Sequence, residues 1–189
     1  YLQTLVVAFL ALAAGLAASA AIAIRPNLAP LVAVLAVWRL WSEQRAESVA
    51  QAFRPVLLLI AGALPGCLFI AWLNSTLYGS PLASGYGSLP DLFSLANALT
   101  NLQRYGGWLI ESQTPLAVVG IVALLIPVRS IWPTPSRQRA AVLLGATVVT
   151  VWALYLIYTP YDAWWFLRFL LPCWPAMCLG TAAVFVRLA

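Results

Sequence analysis

Apolar residues in this chain come in long blocks separated by short polar breaks, and they do not alternate with polar ones. That is the pattern of segments dissolved in lipid. The first block, residues 2–24, carries no charge. At about 1.5 Å per residue it is long enough to cross a hydrocarbon layer of roughly 30 Å. Within it Ala11, Gly15 and Ser19 recur at every fourth position, a stripe of small residues along which another helix can approach closely. Arg25-Pro26-Asn27 ends the block, and the same pattern predicts further spans at 28–41, 55–73, 115–131, 140–158 and 166–186. The expectation is an all-α fold: a polytopic transmembrane helix bundle of about six membrane spans, forming one transmembrane domain over 1–189 with no soluble domain.

The polar breaks differ in length and character. Residues 42–54 hold Glu43, Arg45 and Glu47 and separate the second span from the third. Residues 74–114 are the one long connection, rich in Gly, Ser and Pro over Tyr78-Gly79-Ser80-Pro81-Leu82-Ala83-Ser84-Gly85-Tyr86-Gly87, which predicts an ordered loop. From Pro90 the period becomes helical. Leu92, Leu95, Ala96, Leu99 and Leu102 share one face, while Asp91, Asn97, Asn101 and Gln103 take the other. Ser88 followed by Asp91 resembles a capping box, so residues 90–105 are expected to form an amphipathic helix in the membrane interface.

Composition supports a membrane setting: 63% of residues are hydrophobic and 8% are charged, against about 25% charged in soluble domains. All ten basic residues are arginine, and five acids oppose them. The arginines are scattered between the apolar blocks and form no nucleic-acid footprint. They sort by topology instead. Arg39, Arg45, Arg54, Arg129, Arg137, Arg139 and Arg187 fall on one side, Arg25, Arg104 and Arg168 on the other. The larger group belongs in the cytoplasm, which turns the 74–114 connection outward. Trp72, Tyr78, Tyr158, Tyr161, Trp164 and Trp165 then supply an outer aromatic belt. Cys67, Cys173 and Cys178 lie in apolar blocks and histidine is absent, so neither a disulfide framework nor a zinc site is expected. Nothing implies a cofactor.

The outward arginines are the candidates for chemistry. Arg25 ends the first span and Arg168 starts the last. A guanidinium at headgroup depth can pair bidentately with a lipid phosphate or pyrophosphate, or it can snorkel to ordinary headgroups. Asp162 lies close enough in sequence to steady Arg168 by a salt bridge, or to hydrogen-bond a sugar hydroxyl. Tyr78 and Tyr86, set among glycines, could wall a sugar or isoprenoid site, and interface anchoring explains them equally well. No nucleophile with an adjacent base, and no phosphate-cradling glycine loop, is present.

The order of these features resembles the integral-membrane glycosyltransferases of the GT-C superfamily, in particular bacterial protein mannosyltransferases and aminoarabinose transferases. Three stretches carry the resemblance: the alanine- and glycine-rich block ending in Arg25-Pro26-Asn27, then Asn74-Ser75-Thr76-Leu77-Tyr78-Gly79-Ser80-Pro81 running into Gly85-Tyr86-Gly87, and Arg168-Phe169-Leu170-Leu171-Pro172 followed by Trp174-Pro175. The resemblance implies transfer of a sugar from a polyprenyl-phosphate-linked donor to an acceptor, on the outer face of a bacterial inner membrane. It implies that Arg168, helped by Arg25, stabilises the departing lipid phosphate and that the Tyr78 to Gly87 loop covers the site. Such families place their general base, an aspartate, in a first outward loop, and the present chain is expected to start beyond it. The acceptor is not indicated. Two other classes fit an apolar bundle with outward arginines: a transporter or flippase for a lipid-linked substrate, and a noncatalytic membrane scaffold.

Overall fold

The computed structural model describes residues 2–42 and 48–188. Glu43, Arg45 and Glu47 of the expected polar connection lie outside them. Two compact units make up the chain, Tyr1–Leu89 and Pro90–Ala189. The fold is all-α, with eight α-helices and a single two-stranded hairpin among the described residues.

In the first unit, α1 (Leu2–Ile24) packs along α3 (Val49–Tyr78), with α2 (Pro30–Ser42) between them in the chain. The small-residue stripe is where the two long helices meet. A Cβ added at Gly62 of α3 would lie 2.7 Å from the Leu12 carbonyl and 2.9 Å from the Gly15 backbone, and Gly66 abuts the Ser19 backbone in the same way. Leucine gains nothing by leaving lipid for a helix interface, so close packing across small residues is what holds such a pair. The outer faces stay apolar and exposed, with Phe9 at 70% and Leu57 at 62%. Helix α3 starts earlier than expected because Ser48 caps it, its hydroxyl accepting from the Gln51 amide at 3.2 Å. It ends at Gly79, whose φ of 75° is the left-handed conformation that glycine adopts freely.

The expected ordered loop is a β-hairpin, β1 (Ala83–Ser84) against β2 (Gly87–Ser88), joined by Gly85 and Tyr86. Asn74 anchors it to the end of α3 by donating to the Pro81 carbonyl at 3.2 Å.

A short helix, α4 (Leu89–Leu92), comes next in the chain. The second unit then contains α5 (Ala98–Gln113), α6 (Leu116–Leu125), α7 (Pro135–Leu156) and α8 (Trp174–Leu188), the last continuing a 3-10 stretch over Trp164–Cys173. The amphipathic helix expected at 90–105 is thus displaced: a helical turn, a break, a second turn at Leu95–Asn97, and then a helix reaching Gln113. The break has a tertiary cause. The Ser94 amide donates to the Ile157 carbonyl at 2.7 Å and the Thr159 amide to the Leu92 carbonyl at 2.9 Å, so residues 92–94 pair with 157–159 and cannot also bond along a helix.

Helix α6 runs antiparallel to α8. The Thr181 hydroxyl donates to the Leu116 carbonyl at 3.0 Å, while Gly120 lies against Met177 and Gly180. Beyond Leu125 the chain turns back, because Pro127 disfavours a helical conformation at Ile126. The Trp132 indole then donates to the Ala123 carbonyl at 2.8 Å. Residues 115–131 therefore fold as a short helix and a return, where the hydropathy pattern predicts one continuous span.

Four helical stretches among the described residues are long and apolar enough to cross a bilayer: Thr4–Ile24, Val49–Tyr78, Pro135–Leu156 and Trp164–Leu188. Leu95–Gln113 and Leu116–Leu125, which meet at 116°, count as a fifth if taken as one broken span. These helices are compatible with an integral membrane protein. Six spans are not confirmed, since α2 has 13 residues and α6 has 10. At 1.5 Å per residue these reach about 20 Å and 15 Å.

Candidate functional site

The densest grouping of polar and aromatic side chains lies at one end of the second unit, where α7 ends and the 3-10 stretch begins. It is organised by the polar face of α5. Asn101, Tyr105 and Leu109 follow one another at intervals of four and are buried, while Leu95, Leu99 and Leu102 on the opposite face are 83%, 67% and 49% exposed. This is the inside-out arrangement lipid favours: leucine outward costs nothing, and a polar group outward would lose its partners.

Asn101 is fully buried. Its amide group donates to the carbonyls of Tyr155 at 3.2 Å, Leu156 at 3.0 Å and Tyr158 at 2.6 Å. Carbonyls at a helix C-terminus have no partner within the helix, so Asn101 closes the end of α7 and holds the turn that follows. Arg104, one turn further on, donates from its guanidinium to the Tyr161 carbonyl. The Asn101 Oδ1 atom and the Tyr105 hydroxyl are buried without a hydrogen-bond partner among the described residues.

Around this scaffold the rings interlock. Tyr161 stacks on Phe166 at 4.0 Å and 14°, and Tyr155 on Phe169 at 4.8 Å and 8°. Tyr158 meets Phe93 edge-on at 5.2 Å and Phe169 at 5.7 Å. Such pairs contribute about 0.5–1.5 kcal/mol each beyond burial, which stiffens the turn. The Arg168 guanidinium sits over this platform, 5.3 Å from the Phe166 ring centre and 5.9 Å from that of Phe169, within cation–π range. Arg168 itself is exposed. An exposed arginine braced on aromatic faces is oriented to contact an anion, because one side of its fork is already covered by the rings.

Asp162 is exposed on the same turn. Beyond Arg168, the same continuous helical stretch borders an apolar groove of about 350 Å³, lined by Gln113, Leu116, Trp174, Met177, Thr181 and Phe185 among others.

The remaining sequence candidates belong to the first unit. Arg25 follows the last turn of α1, its amide bonded to the Ala21 carbonyl at 2.7 Å, and is half-buried. Tyr78 packs its hydroxyl beside Gly85, where a Cβ would lie 2.9 Å away. Tyr86, at the hairpin tip, is 78% exposed. Tyr78 therefore braces the hairpin, and Tyr86 is the residue it presents.

Sequence reasoning put Asn101 on the polar face of an interfacial helix and gave no site role to Tyr105, Phe166 or Phe169. The available signal was the spacing of Asn97, Asn101 and Tyr105, a polar stripe at helical period in a chain whose solvent is lipid. Among the described residues no three His, Cys, Asp or Glu side chains come together as a metal ion would require. Comparison with known proteins finds no matching family model, no matching curated protein and no matching solved structure.

Proposed function

We propose that this chain is part of a membrane glycosyltransferase that moves a sugar from a polyprenyl-phosphate carrier to an acceptor. In this reading it is a bundle of about six membrane segments in a bacterial inner membrane, with its working face outward. One observation carries the reading: exposed Arg168 stands on an aromatic platform at the head of Trp164–Leu188, and an apolar groove borders the same helical stretch from Trp174 to Phe185. A cation followed along one helix by an apolar channel suits an amphiphile with an anionic head and a long hydrocarbon tail. A departing lipid phosphate gains negative charge in the transition state, and a fixed guanidinium stabilises that charge without reorganising.

Arg168→Ala in the full-length enzyme is expected to lower sugar transfer from a polyprenyl-phosphate donor by roughly 10²–10³-fold with membrane insertion unchanged. Arg168→Lys, which keeps the charge and loses the bidentate fork, is expected to fall between. Turnover that is unaffected by Arg168→Ala rejects the role.

The 116° break between Leu95–Gln113 and Leu116–Leu125 favours a second reading, a transporter of a lipid-linked substrate, since interrupted helices line transport sites. Movement of a labelled polyprenyl-phosphate sugar across liposomes without any acceptor would select it.

A further inference from the structure

Arg104, one of the three arginines that topology turns outward, is engaged by the protein's own backbone. Its side chain is half-buried, and its guanidinium donates to the Tyr161 carbonyl. That carbonyl belongs to irregular chain. Residues 159–162 form neither helix nor strand, and Pro160 has no amide to donate, so the local backbone does little to fix Tyr161. Asn101 holds the start of this turn at residues 155–158, and Arg104 holds its far end.

The Tyr161 ring in turn meets both rings that carry Arg168. It stacks on Phe166 at 4.0 Å and 14°, and it meets Phe169 at 6.0 Å and 62°. Phe166 and Phe169 are neighbours because side chains three apart eclipse in a 3-10 helix, and their ring centres lie 5.6 Å apart. The Arg168 guanidinium lies over both. Contacts therefore run without a break from the Arg104 guanidinium, through Tyr161, to the two rings under Arg168.

We propose that Arg104 is a positioning residue for Arg168: by holding Tyr161 it fixes the rings on which the Arg168 guanidinium rests, and so sets where that cation meets a lipid-linked phosphate. The inference rests on the reading of Arg168 as the phosphate contact. Arginine suits the task because its planar fork donates in fixed directions. Without it the turn loses its far anchor, and Arg168 must be ordered at the moment of binding.

The test compares retention of farnesyl phosphate and farnesol by the detergent-solubilised full-length protein, measured by native mass spectrometry. The two probes share a tail, so the ratio reads the phosphate contact alone. Arg168→Ala is expected to lower the preference for the phosphate by at least about tenfold, the worth of one charged hydrogen bond. Arg104→Ala is expected to lower it by about fivefold, the cost of ordering one side chain on binding, with farnesol retention unchanged. Arg104→Lys, which keeps a charged donor, is expected to recover most of the preference, and Arg104→Ala is expected to add nothing once Arg168 is alanine. A preference untouched by Arg168→Ala removes the phosphate reading, and the inference with it. A preference lost in Arg168→Ala but kept in Arg104→Ala overturns the inference and leaves that reading standing. Equal loss of both probes in Arg104→Ala makes Arg104 merely structural. A further loss of preference when Arg104→Ala is added to Arg168→Ala means that Arg104 meets the phosphate by itself, which also overturns the positioning role.

Discussion

Replacing Asn101 tests whether the end of α7 is held by one side chain. Its amide nitrogen reaches three carbonyls, at 3.2, 3.0 and 2.6 Å, but carries two hydrogens, so one bond is shared. Contacts of this kind in membrane proteins average about 0.6 kcal/mol, with a maximum near 1.7. Three of them total about 2 kcal/mol. Stranding the carbonyls after substitution adds a desolvation cost, because the buried acceptors regain no water. Against this, removing Oδ1, which has no partner among the described residues, returns part of the loss.

Asn101→Leu is therefore expected to destabilise the protein by about 2 kcal/mol. Asn101→Asp keeps the volume, removes both donors and turns oxygen toward oxygen, so it is expected to cost at least as much as leucine. Equilibrium unfolding in mixed detergent micelles, followed by tyrosine and tryptophan fluorescence, gives both values. If Asn101→Asp lies within about 0.5 kcal/mol of the unaltered protein, the amide does not hold the turn and the account of the platform beneath Arg168 fails.

Gly62→Leu should break the pairing of α1 with α3, costing about 3 kcal/mol, because the nearest atoms to a new Cβ are backbone and cannot yield. The readout is the yield of a disulfide engineered across that contact, and an undiminished yield counts against the close packing. Gly107→Ala is the matched control. No atom lies within 4 Å of a Cβ there, so the substitution should stabilise α5 by up to about 1 kcal/mol. Thr114 has a φ of 63° and is the only non-glycine residue with positive φ among the described residues. With ψ at 168° it sits where β-branched side chains are strained by about 1–3 kcal/mol. Thr114→Gly should raise the thermal midpoint. A lower midpoint would mean that the Leu116 amide bond to the Thr114 hydroxyl at 3.4 Å outweighs the strain.

Much of the helical organisation is written in hydropathy. The charge-free block of α1, the small stripe through Gly15 and Ser19 that meets Gly62 and Gly66, and the long apolar runs of α3, α7 and α8 all follow from composition and period. Transfer into lipid is a local property of a segment, and a helix satisfies its own backbone without help from the rest of the chain. The residues expected to carry chemistry are distributed more widely. Arg168 and Asp162 share a turn in the second unit, and Arg25, Tyr78 and Tyr86 belong to the first.

Tertiary structure decided what hydropathy cannot distinguish. An apolar run reads alike whether it crosses the membrane or turns back, so the return of residues 126–132 onto α6 depended on Pro127 and on the Trp132 bond to Ala123. The pairing of 92–94 with 157–159 broke a helix that local periodicity favours, because backbone bonds to a distant segment replaced those along the chain. The direction faced by Asn101 was settled the same way. Leucine is equally at home in lipid and in a protein interior, so the sequence fixes which residues share a face and leaves open which way it points. That choice falls to the polar face, which must find partners, and here the partners are three carbonyls more than fifty residues away along the chain.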